Sequence, residues 1–372
     1  MLVAALLLLG SAFITSVIGV KLAGYWARSL RMIDAPGERK VHTIPTPRNG
    51  GIGIFAGLGL PIMLSLAVAC WLPADSLAWL GHSVTMHLAG VRYHAGLAIL
   101  LLGCTLGIHL VGLWDDRKNL SPYTKLFLQL LLATTLVIGG EGLAPGGFRT
   151  LSLLDQWGWG GTLLSGLITV LWITALTNAL NFLDNMDGLS AGVATIGAAC
   201  LLLYVVLQGQ WFVAGLLLLL IGSCLGFLMF NFPPAKIFMG DGGSTVLGFF
   251  LAALTIRTTY VTTGDRHWYG VLVPLIVMAV PLYDLTIVTV VRLARGKSPM
   301  QGDTNHFSHR LVRQGFSKRN AVLIIYGVTA ALGISAPLLV NATTLTAVLI
   351  GLQTLALLVV IGVLERVGEH TR

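Results

Sequence analysis

Residues 2–20 read Leu2-Val-Ala-Ala-Leu-Leu-Leu-Leu-Gly-Ser-Ala-Phe-Ile-Thr-Ser-Val-Ile-Gly-Val20, without one charged side chain. A bilayer core needs about 20 consecutive apolar residues per helix, and runs like this one tile nearly the whole chain. No basic residue precedes it, no small-residue cleavage site ends it, and Lys21 and Arg28 follow it. That pattern predicts a retained first helix entering from outside, not a cleaved signal peptide. Further runs predict about eleven helices, at 2–22, 50–71, 95–113, 122–139, 162–183, 188–207, 211–230, 243–259, 270–292, 321–339 and 344–364. The fold class is therefore an all-α polytopic membrane protein, read as a single transmembrane domain over 1–372. No internal repeat recurs at a fixed period, and the two halves do not look alike.

Composition agrees. The 372 residues are 55% hydrophobic and 10% charged, with a mean hydropathy of +0.84. Soluble domains carry about 25% charged residues. Cys70, Cys104, Cys200 and Cys224 lie in or beside apolar runs with no paired spacing, so they read as packing residues. The net charge of +8 reads as basic cytoplasmic loops, with no nucleic-acid partner.

Basic residues set the orientation. With the N-terminus outside, 19 of the 23 Lys and Arg fall on the inner side. Only Arg92, Arg149, Arg257 and Arg266 fall outside, so the predicted topology is N-terminus out and C-terminus in. Acids were not used in that count. Yet Asp115, Asp116, Asp184, Asp187, Asp241 and Asp303 all fall at the inner face. Acids at membrane depth are costly and usually functional. Such a ring points to a polyanionic substrate held through a divalent cation, with interleaved Lys and Arg on its phosphates.

Five segments carry this chemistry. Gly112-Leu-Trp-Asp-Asp-Arg-Lys118 ends an apolar helix on two adjacent carboxylates, which raise one another's pKa; Lys125 stands just inside the next helix. In Asn178-Ala-Leu-Asn-Phe-Leu-Asp-Asn-Met-Asp-Gly-Leu-Ser-Ala-Gly192, polar groups recur at 178, 181, 184 and 187, neighbours on a helix face. Helix–helix hydrogen bonding would satisfy the asparagines but not explain two aspartates followed by glycines. Asn231-Phe-Pro-Pro-Ala-Lys-Ile-Phe-Met-Gly-Asp-Gly-Gly-Ser244 places Asp241, a candidate metal ligand, among glycines that allow close ligand approach. Phe238 could stack on a base. The loop at 297–315 carries His306, His309, Arg310 and Arg313, a cationic edge suited to phosphate. A zinc role for the histidines lacks a third ligand nearby. Asp284, inside an apolar span, reads as organising that helix by hydrogen bonding. Finally, 34–53 is basic and rich in Pro and Gly, with His42 and Arg48 as candidate substrate contacts or a lipid-surface linker.

In this order, Arg39-Lys-Val-His-Thr-Ile-Pro-Thr-Pro-Arg-Asn-Gly-Gly51, the Asp115–Asp116 pair with Lys125, Asn178–Gly192, Asn231–Ser244 and His306-x-x-His309-Arg310 resemble the polyprenyl-phosphate N-acetylhexosamine-1-phosphate transferases. These enzymes start peptidoglycan lipid, teichoic acid, enterobacterial common antigen and O-antigen synthesis. The resemblance covers about residues 34–320. It implies a Mg²⁺ enzyme, with Mn²⁺ as a substitute, in the bacterial cytoplasmic membrane. That enzyme moves N-acetylhexosamine 1-phosphate from its UDP carrier to undecaprenyl phosphate, releasing UMP; a homodimer is a further expectation. Asp241 would hold the metal, with Asn181 as second ligand. Asp115, Asp116, Lys125 and Asp184 would be catalytic. Asn178, Asp187, Asn231 and Phe238 would contact substrate, with uridine near the last three. His306, His309 and Arg310 would cover the sugar and pyrophosphate.

Two positions depart from the family pattern. Asn185 replaces a glycine, expected to be tolerated because Asn accepts left-handed backbone angles, and Ser308 stands where a further histidine is frequent. His-Phe-Ser-His-Arg-Leu and Arg39-Lys40-Val41-His42 resemble the N-acetylglucosamine branch better than the muramyl-pentapeptide branch. Two rival readings fit less well. A transporter predicts repeat symmetry and mid-membrane polar residues, and a CDP-alcohol phosphatidyltransferase needs an Asp-Gly-x-x-Ala-Arg signature that is absent.

Overall fold

A computed structural model describes residues 1–34, 45–144, 146–260, 269–298 and 306–367. His42 and Asp303 lie outside the described residues. The long helices are α1 (Leu2–Trp26), α2 (Gly51–Trp71), α3 (Ala95–Lys118), α4 (Pro122–Leu143), α5 (Gly158–Leu183), α6 (Leu189–Leu207), α7 (Trp211–Asn231) and α8 (Asp241–Arg257). Then come α9 (Val273–Val277), α10 (Ala279–Ala294), α11 (Phe307–Arg313), α12 (Lys318–Gly333) and α13 (Thr344–Val367). Strands β1 (Ile33–Asp34) and β2 (Thr46–Pro47) pair antiparallel, Ile33 opposite Pro47.

Among the described residues, nine helices are long and apolar enough to cross a membrane. Tyr269–Val277 and Ala279–Ala294, bent by 67°, make a tenth if they form one span. The span expected over 243–259 is α8, of 17 residues, in which every residue from Gly242 to Ile256 is buried. A helix with no polar face buries its whole circumference, and α8 does so against α2, α3, α5 and α6. It is the hub of the bundle.

Two glycines set how closely its first turn is held. A Cβ on Gly51 would lie 2.3 Å from the Gly243 nitrogen, and one on Gly112 would lie 2.4 Å from the Asp241 carbonyl oxygen. Small residues permit such backbone contact between helices in lipid. Hydroxyls add polar ties: Ser16 Oγ on α1 donates to the Ser223 carbonyl at 2.8 Å, and Ser223 Oγ donates to the Ile54 carbonyl at 2.7 Å.

Helix α3 extends five residues beyond its expected end at 113. Asp115 and Asp116 are therefore on its last turn. The 178–192 segment does not continue as one helix. α5 stops at Leu183, Asp184 caps it, and Gly188 at φ +73° starts the turn into α6. Asn178 and Asn181 are thus helical, whereas Asp184 and Asp187 sit in the break.

Candidate active site

Four elements meet where α8 begins. Its first turn leaves backbone N–H groups without helical partners. Asp116 supplies them: Oδ1 accepts from the Asp241 N–H at 2.9 Å and Oδ2 from the Gly242 N–H at 3.0 Å. The Asp116 side chain is 1% exposed. Gly240, at φ +71°, makes room, since a Cβ there would stand 2.5 Å from Asp116 Oδ2. His109 adds a second tie from α3, its Nδ1 lying 2.7 Å from the Gly242 carbonyl oxygen, with the ring stacked on Phe55.

Held this way, the Asp241 carboxylate projects between two cations. Arg48 Nη2 lies 3.3 Å from Asp241 Oδ1, and its Nε lies 3.2 Å from Asp116 Oδ1. Lys125 Nζ pairs with Asp241 Oδ2 and reaches Asp115 Oδ2 at 3.0 Å. Asn181 accepts from Lys125 at 3.4 Å through Oδ1 and donates to Ser244 Oγ at 2.9 Å. Arg48 owes its position to β2 and the following residues: the Phe238 N–H donates to the Pro47 carbonyl, and the Gly50 and Gly51 N–H groups donate to Phe238 and Met239. Its guanidinium is held above the ordinary arginine range: burial lowers it, but the combined carboxylates of Asp116, Asp241, Asp184 and Asp34 outweigh that.

Asp184 stands at the rim of this cluster. Desolvation, then the nearby carboxylate of Asp241, pushes its carboxyl well above the usual carboxylate range. Three acids (Asp115, Asp116, Asp241) thus pair with two cations (Arg48, Lys125), a formal excess of one negative charge, with the Asp184 carboxyl beside them. That excess is what a divalent cation would neutralise. Among the described residues no three His, Cys, Asp or Glu side chains form a ready coordination group. Mg²⁺ commonly binds through one or two carboxylates, with water and substrate phosphate completing its octahedron. The oxygen donors of Asp241 and Asn181 fit that habit.

The other sequence candidates divide. Asn178 lies one turn deeper, its Nδ2 donating to Gln129 Oε1 at 2.7 Å and to the Thr174 carbonyl at 2.8 Å. It faces α4, away from the charged cluster. Asn231 is 3% exposed and spends both ends on backbone, accepting from the Gly188 N–H and donating to the Ile237 carbonyl, each at 2.8 Å. Asp187 Oδ2 accepts from the Ala235 N–H at 3.0 Å. These two side chains hold the 232–240 loop against the α5–α6 break. Phe238 is half-buried in that loop.

The histidine segment docks on residues 182–185. His306 Nδ1 lies 2.8 Å from Asp284 Oδ2, and the Phe307 N–H donates to Asp284 Oδ1 at 2.7 Å. Asp284 therefore anchors α11 to α10, where organising its own helix had been the expectation. The His306 ring meets Phe182 edge-on at 5.7 Å, and Arg292 lies over the same Phe182 ring. His309, 6.3 Å from His306 between centroids, has its pKa lowered by burial, then by His306 and Arg313. Arg310, on the same helix, is half-buried.

The two departures from the family pattern meet here. Ser308 Oγ donates to Asn185 Oδ1 at 2.5 Å, and Asn185 Nδ2 donates to the Phe182 carbonyl at 2.6 Å. Asn185 is not among the positive-φ residues, so its side chain, not its backbone tolerance, accounts for its use. In a double-mutant cycle, Asn185→Gly and Ser308→Ala should show a coupling of ~1 kcal/mol in thermal or denaturant stability, the size of one buried hydrogen bond. Strictly additive single effects would refute the pairing.

Sequence reasoning missed Gln129, Ser244 and His109. Gln129 and His109 are lone polar residues in apolar runs, Ser244 only closes the Asp241 segment, and each has its partner 49 or more positions away. No local pattern marks such a residue.

Comparison with known proteins supports the same assignment. The profile of glycosyl transferase family 4 matches residues 98–259. A probable undecaprenyl-phosphate N-acetylglucosaminyl 1-phosphate transferase of Bacillus subtilis (strain 168) is 32% identical over 314 residues, covering 84% of this chain and 78% of the relative. A decaprenyl-phosphate N-acetylglucosaminephosphotransferase of Mycobacterium leprae (strain TN) is 34% identical over 366 residues, covering 92% and 85%. An undecaprenyl-phosphate alpha-N-acetylglucosaminyl 1-phosphate transferase of Escherichia coli (strain K12) is 26% identical over 325 residues, covering 85% and 78%. The chain belongs to the polyprenyl-phosphate N-acetylhexosamine-1-phosphate transferases of glycosyl transferase family 4, and it is a multi-pass membrane phosphoglycosyl transferase.

Proposed function

We propose that the protein transfers N-acetylglucosamine 1-phosphate from UDP-N-acetylglucosamine to undecaprenyl phosphate at the cytoplasmic face of the bacterial inner membrane. The products are undecaprenyl-diphospho-N-acetylglucosamine and UMP, the first membrane intermediate of a cell-envelope glycan. The observation that carries this reading is the pairing of Asp241 with both Lys125 and Arg48, beside Asp115, at one end of the bundle. Phosphoryl transfer asks mainly for positioning and charge neutralisation, and these groups supply both. The relatives' names support the sugar and the lipid. The 19-to-4 bias of basic residues supports the N-terminus out and the site inside, and α8 with the bent α9–α10 pair would bring the nine long spans to eleven.

In this mechanism an oxygen of the lipid phosphate attacks the β-phosphorus of the UDP-sugar in line. The new P–O bond forms as the bond from the β-phosphorus to the bridging oxygen breaks, and UMP leaves with that electron pair. Asp115 orients or deprotonates the acceptor phosphate. Lys125 and Arg48 turn from their carboxylates to the pyrophosphate oxygens, and His306, His309 and Arg310 close over the sugar side. Mg²⁺ held by Asp241 and Asn181 would neutralise charge developing on the phosphates. The lipid phosphate is already a charged nucleophile, which favours direct attack over an aspartyl intermediate.

Purified protein with undecaprenyl phosphate, Mg²⁺ and a panel of UDP-sugars tests this through UMP release. UDP-N-acetylglucosamine should turn over fastest. Turnover only with another UDP-N-acetylhexosamine, or with UDP-N-acetylmuramyl-pentapeptide, would move the sugar assignment. No turnover with any donor would overturn the reaction. UMP release in a single turnover without lipid acceptor would overturn direct attack.

A further inference from the structure

A second polar site lies at the opposite end of the bundle. Helix α3 runs from His94, its N-cap, to the Asp115–Asp116 pair, and α8 runs from Asp241 to Arg257. At about 1.5 Å per residue, a helix length of some 24–32 Å separates His94 and Arg257 from the charged cluster. Together they line a cavity of about 280 Å³, walled also by His87, Gln210, Trp211 and Phe212. No Asp or Glu is among its described lining residues.

Arg257 is what sets this cavity apart. Three described Lys or Arg side chains occupy this end. Arg92 donates to the Ala69 and Leu72 carbonyls, and Arg149 pairs with Glu141 and Asp155. Arg257 is half-buried, makes no ion pair or hydrogen bond among the described residues, and has a buried Nε without a partner. His94 Nδ1 is likewise buried and unpartnered. A buried cation without an anion is costly, and its place on the last turn of α8 offsets only a small part through the helix dipole. Burial, then Arg257, lowers the His94 pKa, and a neutral imidazole still carries one N–H to donate. Gln210 cannot serve as partner, because it is spent on the Thr259 backbone at 2.7 and 2.9 Å.

The surroundings indicate what the anion is attached to. Exposed Trp71, Tyr93, Trp157 and Trp159 all stand at helix ends on this side. Aromatic residues concentrate at the depth of lipid head groups. The cavity walls continue that belt, with His87 against Trp211 at 5.9 Å and His94 against Phe212 at 5.0 Å. Its volume sits just below the roughly 300–1,000 Å³ of small-molecule pockets, a size suited to a head group whose acyl chains remain in the bilayer. We propose that Arg257 and His94 bind the phosphate of a phospholipid head group, at the end of the bundle remote from the reacting phosphates. The guanidinium would form a two-pronged contact to the phosphate oxygens, and the imidazole N–H would donate to a third.

The test uses the full-length protein in mild detergent. Native mass spectrometry counts phosphatidylglycerol molecules retained by wild type, Arg257→Gln, Arg257→Lys and His94→Phe. Wild type should retain one more lipid than Arg257→Gln, Arg257→Lys should recover only part of that binding because it keeps the charge without the two-pronged contact, and His94→Phe should weaken it at least fivefold. In a parallel arm, delipidated protein is titrated with inorganic phosphate and followed by thermal stability. Phosphate protection that depends on Arg257, without any difference in retained lipid, would keep the anion site but overturn the lipid source. Equal lipid retention and equal phosphate response in all four proteins would overturn the proposal. Should Arg257→Gln fail to fold, Arg257→Lys and His94→Phe carry the comparison. UMP release in each preparation reports the remote catalytic end separately.

Discussion

Asp241→Asn should lower kcat for UMP release by ~10³-fold or more while leaving the protein folded. Removing one preorganised charge-stabilising group typically costs about 10²–10³ in rate, and the proposed metal role of Asp241 would add to that. The fold should survive because the carboxylate takes no part in building α8. Its partners are Lys125 and Arg48, whereas the Asp241 N–H goes to Asp116 and its carbonyl oxygen accepts from Thr245. Asparagine keeps that backbone and nearly the same volume. It takes a counter-charge from Lys125 and Arg48, but Asp115 and Asp116 remain beside them, so the melting midpoint should fall only modestly. Activity within tenfold of wild type would refute the role. A variant that melts early would show that the carboxylate is structural after all.

Asp116→Ala should behave in the reverse order, with stability failing first. The buried carboxylate accepts two N–H bonds from the start of α8 and pairs with Arg48. Charge-assisted hydrogen bonds of this kind are worth ~1.5–3 kcal/mol, and their loss strands two buried donors. The expected cost is about 3 kcal/mol, read as a lowered melting midpoint and faster thermal inactivation. Activity should fall with it, because Asp241 and Arg48 both lose their positions. Asp116→Asn should lie between, since one amide oxygen can accept one N–H but its NH₂ opposes the other. If Asp116→Asn melts like wild type and is inactive, the group acts in the chemistry, and its positioning role is wrong.

The contrast between these neighbours shows how much of the site could be read beforehand. Asp115 and Asp116 are adjacent, equally acidic and equally placed at a helix end, so sequence reading treats them alike. On a helical turn adjacent side chains diverge by about 100°, since 3.6 residues make a turn. Asp115 therefore faces Lys125, and Asp116 faces the backbone of α8. Likewise Asn178 and Asn181 both read as polar groups on one face. Their separation of three residues, nearly one turn, leaves one opposite Gln129 and the other beside Lys125. Asn231 and Asp187 were legible as unusual polar residues, yet their partners are backbone groups of a loop whose path only the fold supplies.

What the amino-acid sequence alone made legible was an all-α chain of many apolar spans, most of them present as long helices, and the charged residue types gathered at one end of the bundle. Hydropathy and the bias of Lys and Arg depend on composition along short stretches, so no knowledge of packing is needed to read them. The tertiary structure decided which acid builds and which acid faces the cations, that Asp284 anchors the histidine segment, and that Asn185 and Ser308 are partners. Those assignments turn on contacts under about 3.5 Å between residues as far as 193 positions apart. Such distances are set by helix rotation and glycine-permitted approach, which no local stretch encodes.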